Sequence, residues 1–124
     1  MRLGDIRYAQ DKWADFKKTY DVISISSTEN ANTTRESFIS DLKAGKYNHI
    51  EGITRTFNSV ALTGKFDKEL IDALPPNVKF ICHNGAGYDQ VDAEYCATKN
   101  IQVGNVPHLV NNPTSATHVF LLLG

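Results

Sequence analysis

Apolar positions along this chain switch repeatedly between a helical period and strict alternation. Trp13, Phe16 and Tyr20 fall at helical spacing within Asp11 to Thr19, and Asp21 to Ile25 then alternates, so the spacing predicts a helix followed by a strand. Phe38, Ile39 and Leu42 give the next helix its apolar face. Thr33 or Thr34 can cap that helix, because a hydroxyl oxygen accepts orphan backbone N–H groups, and Gly45 stops it. His49 to Arg55 reads as a strand, Asp67 to Leu74 as a short helix ended by Pro75-Pro76, and Val78 to Cys82 as another strand. Asp92 caps a helix reaching Lys99, Ile101-Gln102-Val103 is a brief strand, and Thr114 to Leu123 is helical. No repeat, low-complexity stretch or charge block divides this series.

Strands that alternate with helices imply a parallel sheet covered on both faces, since each parallel crossover needs a helix to return the chain. The fold class is therefore α/β. In such sheets ligands gather beyond the carboxyl ends of the strands. The loops after Ile53, Cys82 and Val103 are the places to search.

Charge narrows the partners. With 13 basic and 14 acidic side chains the net charge is −1, so no broad field recommends a nucleic acid or an anionic membrane. The run Val119 to Leu123 is far short of the ~20 residues that span a bilayer. Cys82 and Cys96 lack a CxxC spacing, and Met1-Arg2-Leu3-Gly4 lacks the apolar stretch of a secretory signal, so a reducing, cytoplasmic home is expected. His83, His108 and His118 with those cysteines show no zinc spacing, and no metal site is expected. Cys82 reads as a small buried side chain at a strand end, Cys96 as a helix position packed on the sheet. Cys82 with His108 has no nucleophile elbow or ordering acid around it. Tyr8, Trp13, Phe16, Tyr20, Phe57, Phe66 and Tyr95 fit core packing better than a base-stacking surface.

The most informative stretch is Phe80-Ile81-Cys82-His83-Asn84-Gly85-Ala86-Gly87-Tyr88-Asp89, a strand running into two glycines and then an acid. Gly85 and Gly87 permit positive φ, which would let consecutive N–H groups converge on a carboxylate or phosphate. A tight turn alone would use the same two glycines. The dinucleotide fingerprint does not fit, because Gln90 stands at the third glycine position and no acid follows at a ribose position. Arg55 is open between a solvated surface ion pair and a ligand contact.

Phe80 to Gln90, Val91 to Asn100, Ile101 to Pro107 and Thr114 to Gly124 together resemble the D-isomer-specific 2-hydroxyacid dehydrogenases, in particular a fungal branch of glyoxylate reductases and hydroxyisocaproate dehydrogenase-like enzymes. Ile53-Thr54-Arg55-Thr56 and Gly64-Lys65-Phe66-Asp67 extend the likeness over nearly the whole chain. The resemblance implies a flavodoxin-like parallel sheet: residues 1–112 as part of a substrate-binding domain, and 113–124 as the start of a helix leading to a Rossmann domain that this chain lacks. It further implies that Ala86 and Gly87, with Gly85 in the same loop, bind the substrate carboxylate, that Arg55 lies in a segment closing over the substrate's variable end, and that Thr114 sits beside the nicotinamide. Relatives carry an acid where this chain has Ala116, so whatever that acid anchors is absent or rebuilt. They also open with an apolar strand at whose end Met1 falls, so the sheet is expected to lack its first strand and to be incomplete.

The complete enzymes implied by the resemblance are homodimers that use NAD or NADP to reduce glyoxylate, hydroxypyruvate or a branched 2-oxo acid. Their Arg, acid and His lie beyond Gly124, so this chain is expected to be inactive and to bind no cofactor itself. The rival expectation is a non-enzymatic α/β module that binds a small anion or a partner protein.

Overall fold

The computed structural model describes residues 1–107 and 111–123, and the side chains of residues 111–114, 118 and 123 fall outside that description. In chain order the elements are β1 (Arg2–Leu3), α1 (Gln10–Thr19), β2 (Ser24–Ile25), α2 (Arg35–Lys43), β3 (Gly52–Thr56), a 3-10 turn (Phe57–Ser59), α3 (Val60–Thr63), α4 (Lys68–Ala73), β4 (Phe80–Asn84), α5 (Ala93–Thr98), β5 (Gln102–Gly104) and α6 (Asn111–Leu123). All strand pairs are parallel and their order is β2-β1-β3-β4-β5, the order of flavodoxin-like sheets.

The expected missing strand is a point of correction. Arg2 and Leu3 form a two-residue strand near the sheet's middle, pairing with Ser24 and Ile25 on one side and Thr54 and Arg55 on the other. Two residues carry no readable alternation, but hydrogen bonds from Arg2 to Ile23 and from Gly4 to Ile25 fix them. Gly4 ends the strand at φ +92, and a Cβ there would collide with the Thr56 hydroxyl, so only glycine lets the β1 exit lie against the end of β3.

The helices start where their caps place them. Thr34 accepts from the Ser37 amide in a reciprocal capping box, Asp67 accepts from Leu70 and Asp92 from Tyr95. Gly45, at φ +80, closes α2. Arg35 then clamps α2 to the start of α4, donating to the Thr63 and Lys65 carbonyls and to the Asp67 and Glu69 carboxylates.

Alternation along β3 and β4 separates two faces. Ile53, Arg55, Ile81 and His83 are buried in a core with Leu3, Phe38, Ile39, Leu42, Leu70, Ile71 and Cys96. The opposite row, with Gly52, Thr54, Phe80 and Cys82, lines a groove of about 520 Å³ beneath Trp13, Phe16 and Tyr20. This overturns two expectations. Helix α1 buries none of its residues, Trp13 stacking on Phe16 at 5.3 Å and Phe16 meeting Tyr20 at a tilt at 4.5 Å over the groove. Cys82 is exposed because its neighbours in the strand pattern put it on the open face, whereas Cys96 is fully buried and its thiol is pushed up to about 11 by burial. Tyr8 and Phe57 also leave the core, at 85% and 57% exposure, while Phe66 is buried as expected.

Candidate functional site

Strand β4 delivers the loop Asn84–Tyr88 to the carboxyl edge of the sheet, as the sequence pattern required. The loop is pinned from behind. Its Gly85 amide turns back to the His83 carbonyl, the Gly85 carbonyl accepts from Val106, and the Ala86 carbonyl accepts from the Asn105 side chain at 2.7 Å. With those carbonyls held, the amides of Ala86 and Gly87 have no protein acceptor among the described residues. Two successive free donors at a strand end suit an anionic oxygen.

The reason given for the two glycines needs correcting. Neither Gly85 nor Gly87 adopts positive φ, so the loop is not a nest built on left-handed glycines. Gly85 is required by space: a Cβ there would come within 2.8 Å of His83 Nε2. At Gly87 a Cβ would meet only the Asp89 carboxylate at 3.4 Å, an ordinary contact.

Beneath the loop lies Arg55, which is neither of the two alternatives left open for it, a solvated surface ion pair or a ligand contact, but a buried group bonded within the fold. Arg55 is 1% exposed and forms no ion pair among the described residues. Its Nε donates to Ser59 Oγ, its Nη2 donates to Gln90 Oε1 at 2.7 Å, and its guanidinium stacks over Phe66 at 5.2 Å. Burial pulls the guanidinium down to about 10, still protonated at neutral pH. The same pairing explains Gln90: it is 6% exposed and faces Arg55, leaving it unavailable to a dinucleotide. The signal for this burial was the register, since Arg55 alternates with Ile53.

His83, missed as a site residue, is Arg55's register partner and is 1% exposed. Among the described residues neither ring nitrogen has a partner within hydrogen-bond geometry. Burial, then the Arg55 charge, lowers its pKa, opposed by the Gly87 backbone and Asp89. The neutral ring thus packs against Gly85 and supports the loop from inside.

Asn84 also borders a pocket of about 480 Å³ lined by Gly4, Ile6, Arg7, Tyr8, Thr56, Phe57 and Leu62 among others. It lies across the carboxyl ends of β1, β3 and β4. Helix α6 begins at Asn111, three residues before the position expected, so the 112/113 boundary falls inside it; the Thr114 side chain and His108 lie outside the described residues. Among the described residues no group of three or more His, Cys, Asp or Glu could hold a metal ion, and no helix is long and apolar enough to cross a membrane.

A parallel α/β sheet in the 2-1-3-4-5 order defines an architecture of the flavodoxin-like class. The chain belongs to the D-isomer specific 2-hydroxyacid dehydrogenase family, whose catalytic-domain model matches residues 56–118. It is 47% identical over its whole length to glyoxylate reductase 1 of Saccharomyces cerevisiae and 38% identical to 4-methyl-2-oxopentanoate reductase A of Aspergillus oryzae. It covers 35% and 36% of those relatives, about a third of their length. A glyoxylate reductase structure from Paecilomyes thermophila superposes with a TM-score of 0.86 at 38% identity, covering 99% of this chain and 36% of that one.

Proposed function

We propose that this chain is the substrate-binding part of an NAD(P)-dependent oxidoreductase that reduces small 2-oxo acids to D-2-hydroxy acids, with residues 1–112 as the binding unit and 113–124 as a linking helix. The observation that carries the reading is the pair of amides at Ala86 and Gly87 that have no acceptor among the described residues, on the loop tied back by Asn105 and Val106. These N–H groups bind the substrate carboxylate. Gly85 lets the loop settle on His83, and Arg55 acts as a positioning residue, since its buried guanidinium holds Gln90 and the β3 exit instead of reaching the ligand.

The described residues do not form a dinucleotide cradle, because Gln90 occupies the third fingerprint position and is engaged by Arg55. A nicotinamide cofactor supplies the hydride in this class of reaction. No hydride or proton step is assigned to a described residue, and Thr114 is the one position here proposed to lie beside the nicotinamide. The complete enzyme is proposed to be a cytoplasmic homodimer.

Titration of the 15N-labelled chain with glyoxylate, and separately with NADH, tests the binding assignment. Amide shifts should centre on Ala86 and Gly87 with glyoxylate, with no saturable response to NADH. A glyoxylate response elsewhere, or none, rejects the loop as the carboxylate site and favours a module that binds another anion or a partner protein.

A further inference from the structure

We propose that His83 is a positioning residue of the carboxylate loop and that its ring takes up a proton when a carboxylate binds, so that the site holds 2-oxo acids more tightly towards acid pH. The inference rests on the carboxylate reading of Ala86 and Gly87 and adds the group that sets its response to pH.

The peptide units of the loop are held from the inner side one after another. Because a trans peptide is planar, a fixed carbonyl also fixes the N–H across the same bond. Val106 holds the Gly85 carbonyl and thereby aims the Ala86 amide, and Asn105 does the same for the Ala86 carbonyl and the Gly87 amide. The next carbonyl, that of Gly87, shares its space with the histidine: the point where a Gly85 Cβ would stand is 2.8 Å from His83 Nε2 and 3.6 Å from the Gly87 oxygen. The ring is buried, and among the described residues neither nitrogen has a partner within hydrogen-bond geometry. A neutral imidazole offers one N–H and one bare nitrogen, whereas the imidazolium offers two donors. Protonation therefore turns a donor towards the side of the turn that carries the Gly87 carbonyl, a backbone contact that favours the charged ring.

Among the described residues the charges that bear on the ring are Arg55, its register partner on β3, and Asp89, just beyond the turn. Burial opposes a proton first and Arg55 second, while Asp89 favours one. Arg55 is itself buried and Asp89 lies exposed in solvent, so the arginine prevails and the ring is neutral in the free loop. A carboxylate on the Ala86 and Gly87 amides brings a negative charge to the outer side of the same turn. Next to a buried ring it acts more strongly than it would across water, and it offsets Arg55. The ring then protonates at a higher pH in the complex than in the free chain. Such coupling is reciprocal, so the proton tightens the carboxylate by the factor with which the carboxylate tightens the proton. The added affinity is complete below the midpoint of the free ring and is lost as pH rises through the midpoint of the complex.

The test titrates the 15N-labelled chain with glyoxylate between about pH 5.5 and 7.5, reading the ring nitrogens of His83 and His49 together with the backbone amides. Glyoxylate stays ionised over this range, and His49, ahead of β3 at the other end of the sheet, is the control. Saturating glyoxylate should raise the midpoint of His83 and leave that of His49 in place. Its Kd should fall about fivefold from the upper to the lower end of the range. His83→Gln keeps a side-chain donor but has no proton to gain, so it should still shift Ala86 and Gly87 with a Kd that no longer follows pH. A ring that only fills space would give neither the moved midpoint nor the pH-dependent Kd. A His83 midpoint that glyoxylate leaves in place, or a pH dependence that survives in His83→Gln, overturns the proposal, while shifts at Ala86 and Gly87 keep the carboxylate site. Should His83→Gln not fold, the midpoint and the Kd of the natural sequence decide alone. No shift at Ala86 and Gly87 at any pH overturns the carboxylate reading and this proposal with it.

Discussion

Arg55 and His83 lie side by side in the β3–β4 register, both 1% exposed, yet among the described residues only the arginine has side-chain hydrogen-bond partners. A buried cation beside a neutral ring stabilises one protonation state of that ring. The pair sits directly under the loop that presents the two free amides, so its charge state bears on both folding and binding.

Acid should therefore weaken the fold before any carboxylate titrates. The His83 pKa is lowered in the folded chain, first by burial and then by Arg55, so the neutral form is the one that fits. Its contribution is fully present above the unfolded value of about 6.5 and is lost as pH falls below it. The expected outcome is a melting temperature that declines between about pH 7 and 5, and His83→Leu should flatten that decline. An unchanged slope in His83→Leu would assign the acid response to other groups. Asp5 and Asp67, whose pKa values are lowered, act in a separate window below about pH 4.

Removing Arg55 alone should cost more than removing it together with its partner. Arg55→Met keeps much of the volume but strands Gln90 Oε1 and gives up the stacking on Phe66. A stranded buried acceptor and a lost cation–π contact together cost about 2–4 kcal/mol. Adding Gln90→Leu removes the stranded acceptor and should recover about 1–2 kcal/mol. Urea unfolding of the two single variants and the double variant measures this, and a strictly additive double variant would show that the two side chains are not coupled.

Much of this arrangement could be read from residue order, and the unread parts have physical causes. Caps at Thr33 or Thr34 and at Asp92 declare themselves through side-chain oxygens placed before apolar runs, and Thr34 and Asp92 are the caps observed, whereas Asp67, read as the first helical residue, is itself the cap of α4. Strand β1 could not be read, because two residues show no period and are held by the strands on either side. For Arg55 the charge suggests either a solvated ion pair or a ligand contact, and only its alternation with buried Ile53 points to the burial observed. The aromatic spacing of α1 suggested core, but period reports only that a helix has an apolar side. Trp13, Phe16 and Tyr20 do share a side, over a groove that the described residues leave open.

The two loop glycines should respond differently to the same added methyl. At Gly85 it would press on the buried His83 ring, which has no room to move, and overpacking of that kind costs about 1–3 kcal/mol. At Gly87 it makes an ordinary contact with an exposed carboxylate, so Gly87→Ala should change stability by less than about 0.5 kcal/mol. Thermal melts of Gly85→Ala and Gly87→Ala check the difference. Equal destabilisation would mean that Gly87, too, is required by its backbone.

Helix α6 should drive self-association of the chain. Val119, Phe120, Leu121 and Leu122 are 54%, 72%, 71% and 84% exposed, and a run of exposed large apolar side chains of this kind marks an association surface. Each of these side chains gains about 1.5–3 kcal/mol when fully buried, so pairing two copies of the helix can offset the cost of association. Sedimentation velocity should show self-association that grows with concentration. Phe120→Glu with Leu122→Glu should shift the chain to monomer, and because glutamate is a good helix former and neither side chain packs in the core, the melting temperature should move by less than about 2 °C. The open groove offers a second route, since Phe80 is 51% exposed on it. Monomer formation by Phe80→Ser, with the double glutamate variant still associating, would place the contact on the sheet face and remove α6 from it.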